Sequence, residues 1–171
     1  MATLPLPTVL PTLHGRRVLL RAMADDDAAG LHAIYSDPRV MQFTDELPFP
    51  DRQSVDIMLA SVRRLLAEGT SLEWAIALAD TDAIIGTCGL HHFDARQAEA
   101  GGLLRHSAWG QGYMRDAMAL LMKYAGDVLC LDRLIADVAL ENERAQRMFK
   151  KLGYRKDSSG MLAIALRPRV T

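Results

Sequence analysis

Two glycines one residue apart, in Trp109-Gly110-Gln111-Gly112-Tyr113-Met114, carry the chemistry most directly legible in this chain. An extended-looking segment, Glu99 to Arg105, precedes them, and an apolar-periodic helix is expected from Tyr113. Strand, glycine turn and helix start together aim backbone N–H groups at an anion. The first helical turn leaves donors without intrahelical partners, and its dipole favours negative charge. Glycine lets the backbone approach without a Cβ in the way. The turn therefore reads as a diphosphate cradle. It is not a P-loop, because Tyr113 and Met114 stand where lysine and a metal-binding hydroxyl belong. Nor is it a dinucleotide fingerprint, whose third small residue would fall at Arg115. Taken alone, the turn serves equally well as a connector.

The surroundings decide between cradle and connector. Residues 98–114, Ala-Glu-Ala-Gly-Gly-Leu-Leu-Arg-His-Ser-Ala-Trp-Gly-Gln-Gly-Tyr-Met, resemble the acetyl-CoA-binding motif of the GNAT superfamily of N-acetyltransferases. A second block agrees, Glu141-Asn142-Glu143-Arg144-Ala145 followed by Phe149-Lys150-Lys151-Leu152-Gly153-Tyr154-Arg155. Arg17-Val18-Leu19-Leu20-Arg21, with Asp27 and Ser36-Asp37-Pro38 after it, is a third, and Ile84-Ile85-Gly86-Thr87-Cys88-Gly89-Leu90 a fourth. In order and spacing, over roughly residues 14–158, the four resemble the branch containing the ribosomal-protein N-terminal (alanine and serine) acetyltransferases.

The resemblance implies acetyl-CoA as cosubstrate and a primary amine as acceptor, either a protein N-terminus or a small molecule, while the residues themselves give no metal. Cofactor contacts are expected at Leu104, Arg105, Trp109, Gly110, Gln111, Gly112, Tyr113 and Met114, mostly through backbone N–H groups. Arg115 is also near enough in sequence to meet phosphate. Ser107 stands where the family often writes glutamine or arginine. Asn142 matches an asparagine that contacts the pantetheine region, and it equally suits a plain helix N-cap. A backbone N–H around Leu104 is the expected oxyanion donor. Glu99 is the first choice of general base, with His91 and His92 second. The competing readings are a surface carboxylate and two rim histidines. Family members often place a tyrosine where Phe149 stands, or a serine where Ala145 stands, to protonate the departing sulfur. This chain has neither hydroxyl, so the thiolate is expected to leave unassisted, its proton coming from water.

Size and composition set the frame. With 171 residues, half of them apolar and 24% charged, the chain suits a single domain with a substantial core. A net charge of −1, with basic residues dispersed, gives no reason to expect nucleic-acid binding. Cys88 and Cys130 show no paired ligand spacing and read as buried apolar cysteines, and no His-x-x-x-His pair supports a metal. No apolar run is long enough to span a membrane, which makes the cytoplasm the default compartment. Met1–Gly15, apolar with three prolines, reads as a loose arm rather than a signal peptide. The expected division is an arm at 1–14 and the acetyltransferase domain at 15–171.

Elements follow from periodicity and punctuation. Arg17–Met23 is a strand, and Asp25-Asp26-Asp27 opens a helix to about Tyr35, the acids suiting its dipole better than a metal. A second helix runs from about Ser54 to Glu68. Leu72–Ala79 and Ala83–His91 form an antiparallel hairpin, and Ala98–Leu104 is the next strand. The long helix from Tyr113 to about Cys130 buries Ala117, Leu120, Leu121, Tyr124 and Val128. Leu134–Val138 is a short strand, Asn142 caps a helix ending at Gly153, and Tyr154–Lys156 and Met161–Arg167 close the chain as a hairpin. Trp74 is expected in the core. The fold class is α/β (α+β): one GNAT-like domain with a mixed, mostly antiparallel sheet, helices on both faces and a splayed parallel strand pair. That splay, with pantetheine in the gap, is implied by the resemblance alone.

The resemblance further implies that Tyr35–Glu46, the second helix and His91–Gln97 surround the acceptor, where Asp45, Glu46, Asp94 and Glu99 would favour a cation. A catalytically weak CoA-binding module with a regulatory role is the alternative function, and a nucleotide-binding domain a more distant one. A homodimer stays open, through a sheet edge or the N-terminal arm.

Overall fold

A computed structural model of the chain describes residues 4–166. Among the described residues eight strands form one sheet: β1 (Leu13–His14), β2 (Val18–Arg21), β3 (Leu72–Leu78), β4 (Ile84–Asp94), β5 (Gln97–Leu104), β6 (Arg133–Ala136), β7 (Arg155–Lys156) and β8 (Leu162–Ala165). Their spatial order is β1-β2-β3-β4-β5-β6-β8-β7. Every neighbouring pair is antiparallel except β5 and β6, which are joined through a helical crossover. The helices are α1 (Ala28–Tyr35), α2 (Pro38–Met41), α3 (Arg52–Ala67), α4 (Tyr113–Asp127) and α5 (Glu143–Lys151).

Alternation along the strands divides the core in two. Leu72, Trp74 and Ile76 of β3 point to the face covered by α4, where Ala117, Met118, Leu121 and Tyr124 meet them. Ala75, from the opposite face, packs with Leu31 and Ile34 of α1 and Val55 and Leu59 of α3. Both faces are thus covered, as expected. Asp51 and Asn142 cap α3 and α5 with side-chain oxygens, accepting from Ser54 N and Ala145 N.

Several expectations need correction. Val128 lies beyond the last turn of α4, which stops at Asp127, and is 61% exposed instead of buried. Cys88 is buried, but Cys130 is exposed, in a positive-φ turn after that helix. The short helix α2, with Pro38 at its start, fills what reads in the sequence as an interruption. The stretch expected as a loose arm is tied down over its described part: Leu4, Leu6 and Leu10 pack on the core, and Trp74 Nε1 donates to the Pro11 carbonyl at 2.8 Å. The end of the closing hairpin, at Arg167, lies outside the described residues.

The parallel pair is short. β5 meets β6 only from Gln97 to Glu99, opposite Arg133 to Ile135. From Ala100 to Leu104, β5 pairs with β4 alone, so the sheet opens along its other edge. Arg105 N donates to Ile85 O, which fixes the phase of the β4–β5 ladder. By the antiparallel alternation, the N–H groups of Ala100, Gly102 and Leu104 then point into the opening.

Candidate active site

The opening leads into a cavity of about 780 Å³, lined by Ala100–Leu104 of β5, the turn Trp109–Gly112, the start of α4, one side of α5, and Tyr35–Thr44 from the other face of the sheet. The turn is built for close approach. Gly110 and Gly112 have φ of 76° and 81°, which side-chain-bearing residues rarely adopt. Gly112 is the N-cap of α4 and provides no side-chain cap, and the first helical bond runs from Asp116 N to its carbonyl. The N–H groups of Tyr113, Met114 and Arg115 are therefore left for an external acceptor. Arg17, the residue before β2, braces the turn. Its Nη1 donates to Gln111 O at 2.8 Å, its Nε donates to Asp116 Oδ2 at 2.7 Å, and its guanidinium lies 4.9 Å from the Tyr113 ring centre.

Trp109 ties the turn to the strand, its indole N–H donating to Leu104 O at 2.7 Å. The Arg144 guanidinium lies 3.3 Å over the Trp109 ring, and burial lowers its pKa from the usual arginine value. Arg39, Arg115, Arg144, Arg147 and Lys151 line the cavity against two acids, Glu73 and Asp137. Basic residues dispersed in the sequence are thus gathered by the fold around one cavity, a field that suits a polyanion.

Of the expected cofactor residues, Leu104, Trp109, Gly110, Gln111, Gly112, Tyr113, Met114 and Asn142 all line this cavity. Arg105 does not, whereas Arg115 does. Asn142 caps α5 through Oδ1, 3.3 Å from Ala145 N. Ala145 and Phe149 line the cavity, and Phe149 is buried edge-on against Tyr154 at 4.9 Å.

The base candidates form a row across the sheet. His91 and Glu99 are cross-strand partners, with His91 Nε2 3.5 Å from Glu99 Oε1. Glu99 Oε2 and His92 Nδ1 are hydrogen-bonded at 2.8 Å. His91 lines the cavity, while Glu99 and His92 stand outside its wall. The donor atoms of His91, His92 and Glu99 lie within 4.8 Å of one another, a cluster the sequence spacing does not suggest. Asp45, Glu46, Asp94 and helix α3 contribute nothing to the lining. Sequence reasoning misses Arg17, Arg144 and Glu73. Glu73 had a signal, a lone acid inside the apolar run Leu72–Leu78.

Comparison with known proteins settles the lineage. Residues 17–155 match the model of the acetyltransferase (GNAT) domain. The chain belongs to the GNAT acetyltransferase family. Among GNAT relatives, it is 32% identical over 150 residues to the uncharacterized N-acetyltransferase p20 of Bacillus licheniformis, covering 86% of this chain and 84% of that protein. Its fold is that of RimJ from Mycobacterium smegmatis, solved in complex with CoA-disulfide, with a TM-score of 0.83 at 19% identity over 94% of this chain and 90% of that one. Spermidine N-acetyltransferase from Vibrio cholerae, solved with CoA and spermine, gives 0.76 at 17% identity over 88% and 96%. The GNAT domain here is thus an N-acetyltransferase enzyme of mixed α/β fold, and no helix among the described residues is long and apolar enough to cross a membrane.

Proposed function

We propose that this protein transfers the acetyl group of acetyl-CoA to a primary amine, on a protein N-terminus or a small molecule, by direct attack in a ternary complex. One observation carries the reading: the unpaired edge of β5 runs into the same cavity as the uncapped start of α4. An extended arm can lie along the strand edge while its diphosphate meets the N–H groups from Gly110 to Met114, the Trp109 N–H expected beside them being already donated to His106 O at 3.1 Å. The complexes with CoA among the structural neighbours support that placement. Leu104 N–H faces the opening and suits the oxyanion, Asn142 sits beside the arm, and the row of His91 and Glu99 supplies proton acceptance. With Phe149 and Ala145 bearing no hydroxyl, the thiolate leaves without a side-chain acid.

Calorimetry with CoA and acetyl-CoA, followed by thiol release over a panel of amines, tests this. Binding with amine-dependent release is the expected result. No heat with either ligand overturns the reading, and binding without turnover across the panel points to a CoA-binding module instead.

A further inference from the structure

Glu73, Gly89 and Gly101 stand side by side on β3, β4 and β5, on the face that α1 and α2 cover. Neither glycine carries a side chain, so the glutamate is folded flat across the sheet. A Cβ added at Gly89 would lie 2.1 Å from Glu73 Oε2. The carboxylate thus projects over β4 toward β5, one strand spacing, about 4.8 Å, from the edge that opens into the cavity. Ser71 Oγ donates to Oε1 at 2.8 Å, whereas Oε2 accepts no hydrogen bond from the described residues. Tyr35 from α1, whose hydroxyl is engaged with Thr87 at 2.8 Å, and the buried thiol of Cys88 are the other ionisable groups around it. His91 Nδ1 is buried without a hydrogen-bond partner among the described residues, 3.7 Å from Glu73 Oε1.

We propose that Glu73 receives the acceptor: its carboxylate takes the incoming ammonium over Gly89, accepts a proton from it, and selects primary amines whose α-carbon bears no carboxylate. The proposal rests on the transferase reading above. Among the described residues Glu73 and Asp137 are the acids that line the cavity; Asp137 follows the end of β6 across the opening, and Glu99, on the same sheet face as Glu73, stands beyond His91 outside the lining. A cation gains there, while an anion beside the reacting nitrogen meets a like charge in a poorly hydrated site. The ammonium gives one proton to Glu73 and becomes a neutral amine. Its lone pair forms the N–C bond at the thioester carbonyl, the C–S bond breaks with its pair going to sulfur, and the second proton from nitrogen neutralises the thiolate. The proton on Glu73 leaves through the His91 imidazole to Glu99, His92 and solvent, a small ring movement or a water closing each gap. Glu99 then takes the proton from His91 and not from the amine itself.

The test uses the full chain and its Glu73→Gln and Glu73→Asp variants with alaninamide and alanine as paired acceptors. The Gln variant should lose about 100-fold in kcat, the lower range for a positioned proton acceptor, with CoA affinity unchanged, and the Asp variant should regain part of the loss. Wild type should prefer alaninamide to alanine by more than about tenfold, and the Gln variant should lose that preference. Gln-variant activity close to wild type, or equal use of the two acceptors by wild type, overturns the proposal. If neither acceptor turns over, carbon-detected NMR decides: n-butylammonium should shift the Glu73 carboxyl resonance, assigned by its absence from Glu73→Gln, and an unmoved resonance overturns it. A wild-type protein that binds no CoA would sink the transferase reading separately, because the NMR titration also runs on free protein.

Discussion

Glu73 costs stability where it sits. Burial pushes its carboxyl above the ordinary carboxylate range, against the opposing pull of the Ser71 hydroxyl and His91. A raised folded-state pKa gives stability that is full below the unfolded value, near 4.3, and lost as pH rises through the folded one. Glu73→Gln should therefore melt above wild type at pH 8 and level with it at pH 4, as thermal denaturation at the two pH values will show. Gly89→Ala should do the reverse. Its Cβ falls on the carboxylate, the flexible end of the side chain, which can swing aside at about 1 kcal/mol, the low end for an overpacked site, or roughly 2–4 °C in Tm for a chain of this size. Adding Glu73→Ala should restore most of that loss, because the clash is a property of the pair. At Phe149, a tyrosine would return the hydroxyl that the family commonly has, and steady-state assays should show kcat up by about tenfold. That difference could be read from the sequence because it rests on a motif position. Glu73 could not be placed so easily, since its meaning depends on which residues lie across two strands from it.

At the scale of elements, the turn before α4 and the arginine that braces it act as one device. Gly110→Ala and Gly112→Ala both force a side chain into positive φ, at about 1–2 kcal/mol each. They should differ in affinity. A Cβ at Gly110 meets nothing within 4 Å, whereas one at Gly112 comes within 3.0 Å of Arg17 Nη2. Calorimetry should show CoA affinity falling by about tenfold or more for Gly112→Ala and less for Gly110→Ala, with Arg17→Met reproducing the larger loss. The glycine turn and α4 were legible from spacing and periodicity. Arg17 was not, being 94 residues from the carbonyl it holds. Helix ends were also less legible: Val128 fits the apolar stripe of α4 by period, but the helix turns away one residue earlier.

Across the whole molecule, one ionic knot joins β2, the start of α1 and the β3–β4 turn. Arg21 grips Asp27 with two bonds, at 2.7 and 2.9 Å, and reaches Asp82 at 2.7 Å, while Asp27 also accepts from Ala24 N. These contacts, the arginine bond first, hold the Asp27 carboxyl below the ordinary range. A depressed carboxylate stabilises above its unfolded pKa, near 3.9, and that stability is lost as pH falls through the folded value. Asp27→Asn should cost about 2 kcal/mol at pH 7, as for a hydrogen-bonded charge, with the gap to wild type closing in acid denaturation curves as pH falls from the unfolded value through the lower folded one. Fold class, the two covered faces and the antiparallel order were all legible, because alternating strands and amphipathic helices admit few arrangements. The extent of the β5–β6 divergence was not, since register is decided by partners far apart in the chain.

That divergence leaves an unfinished β-ladder in the middle of the sheet, where most proteins tolerate one only at the rim. Without its cosubstrate the enzyme carries sticky amides indoors, a template for intruding peptide. A thioester arm lying there would serve as a borrowed ninth strand. Adding CoA during refolding should accordingly raise the soluble yield and slow amide exchange at Gly102 and Leu104 before it does so anywhere else.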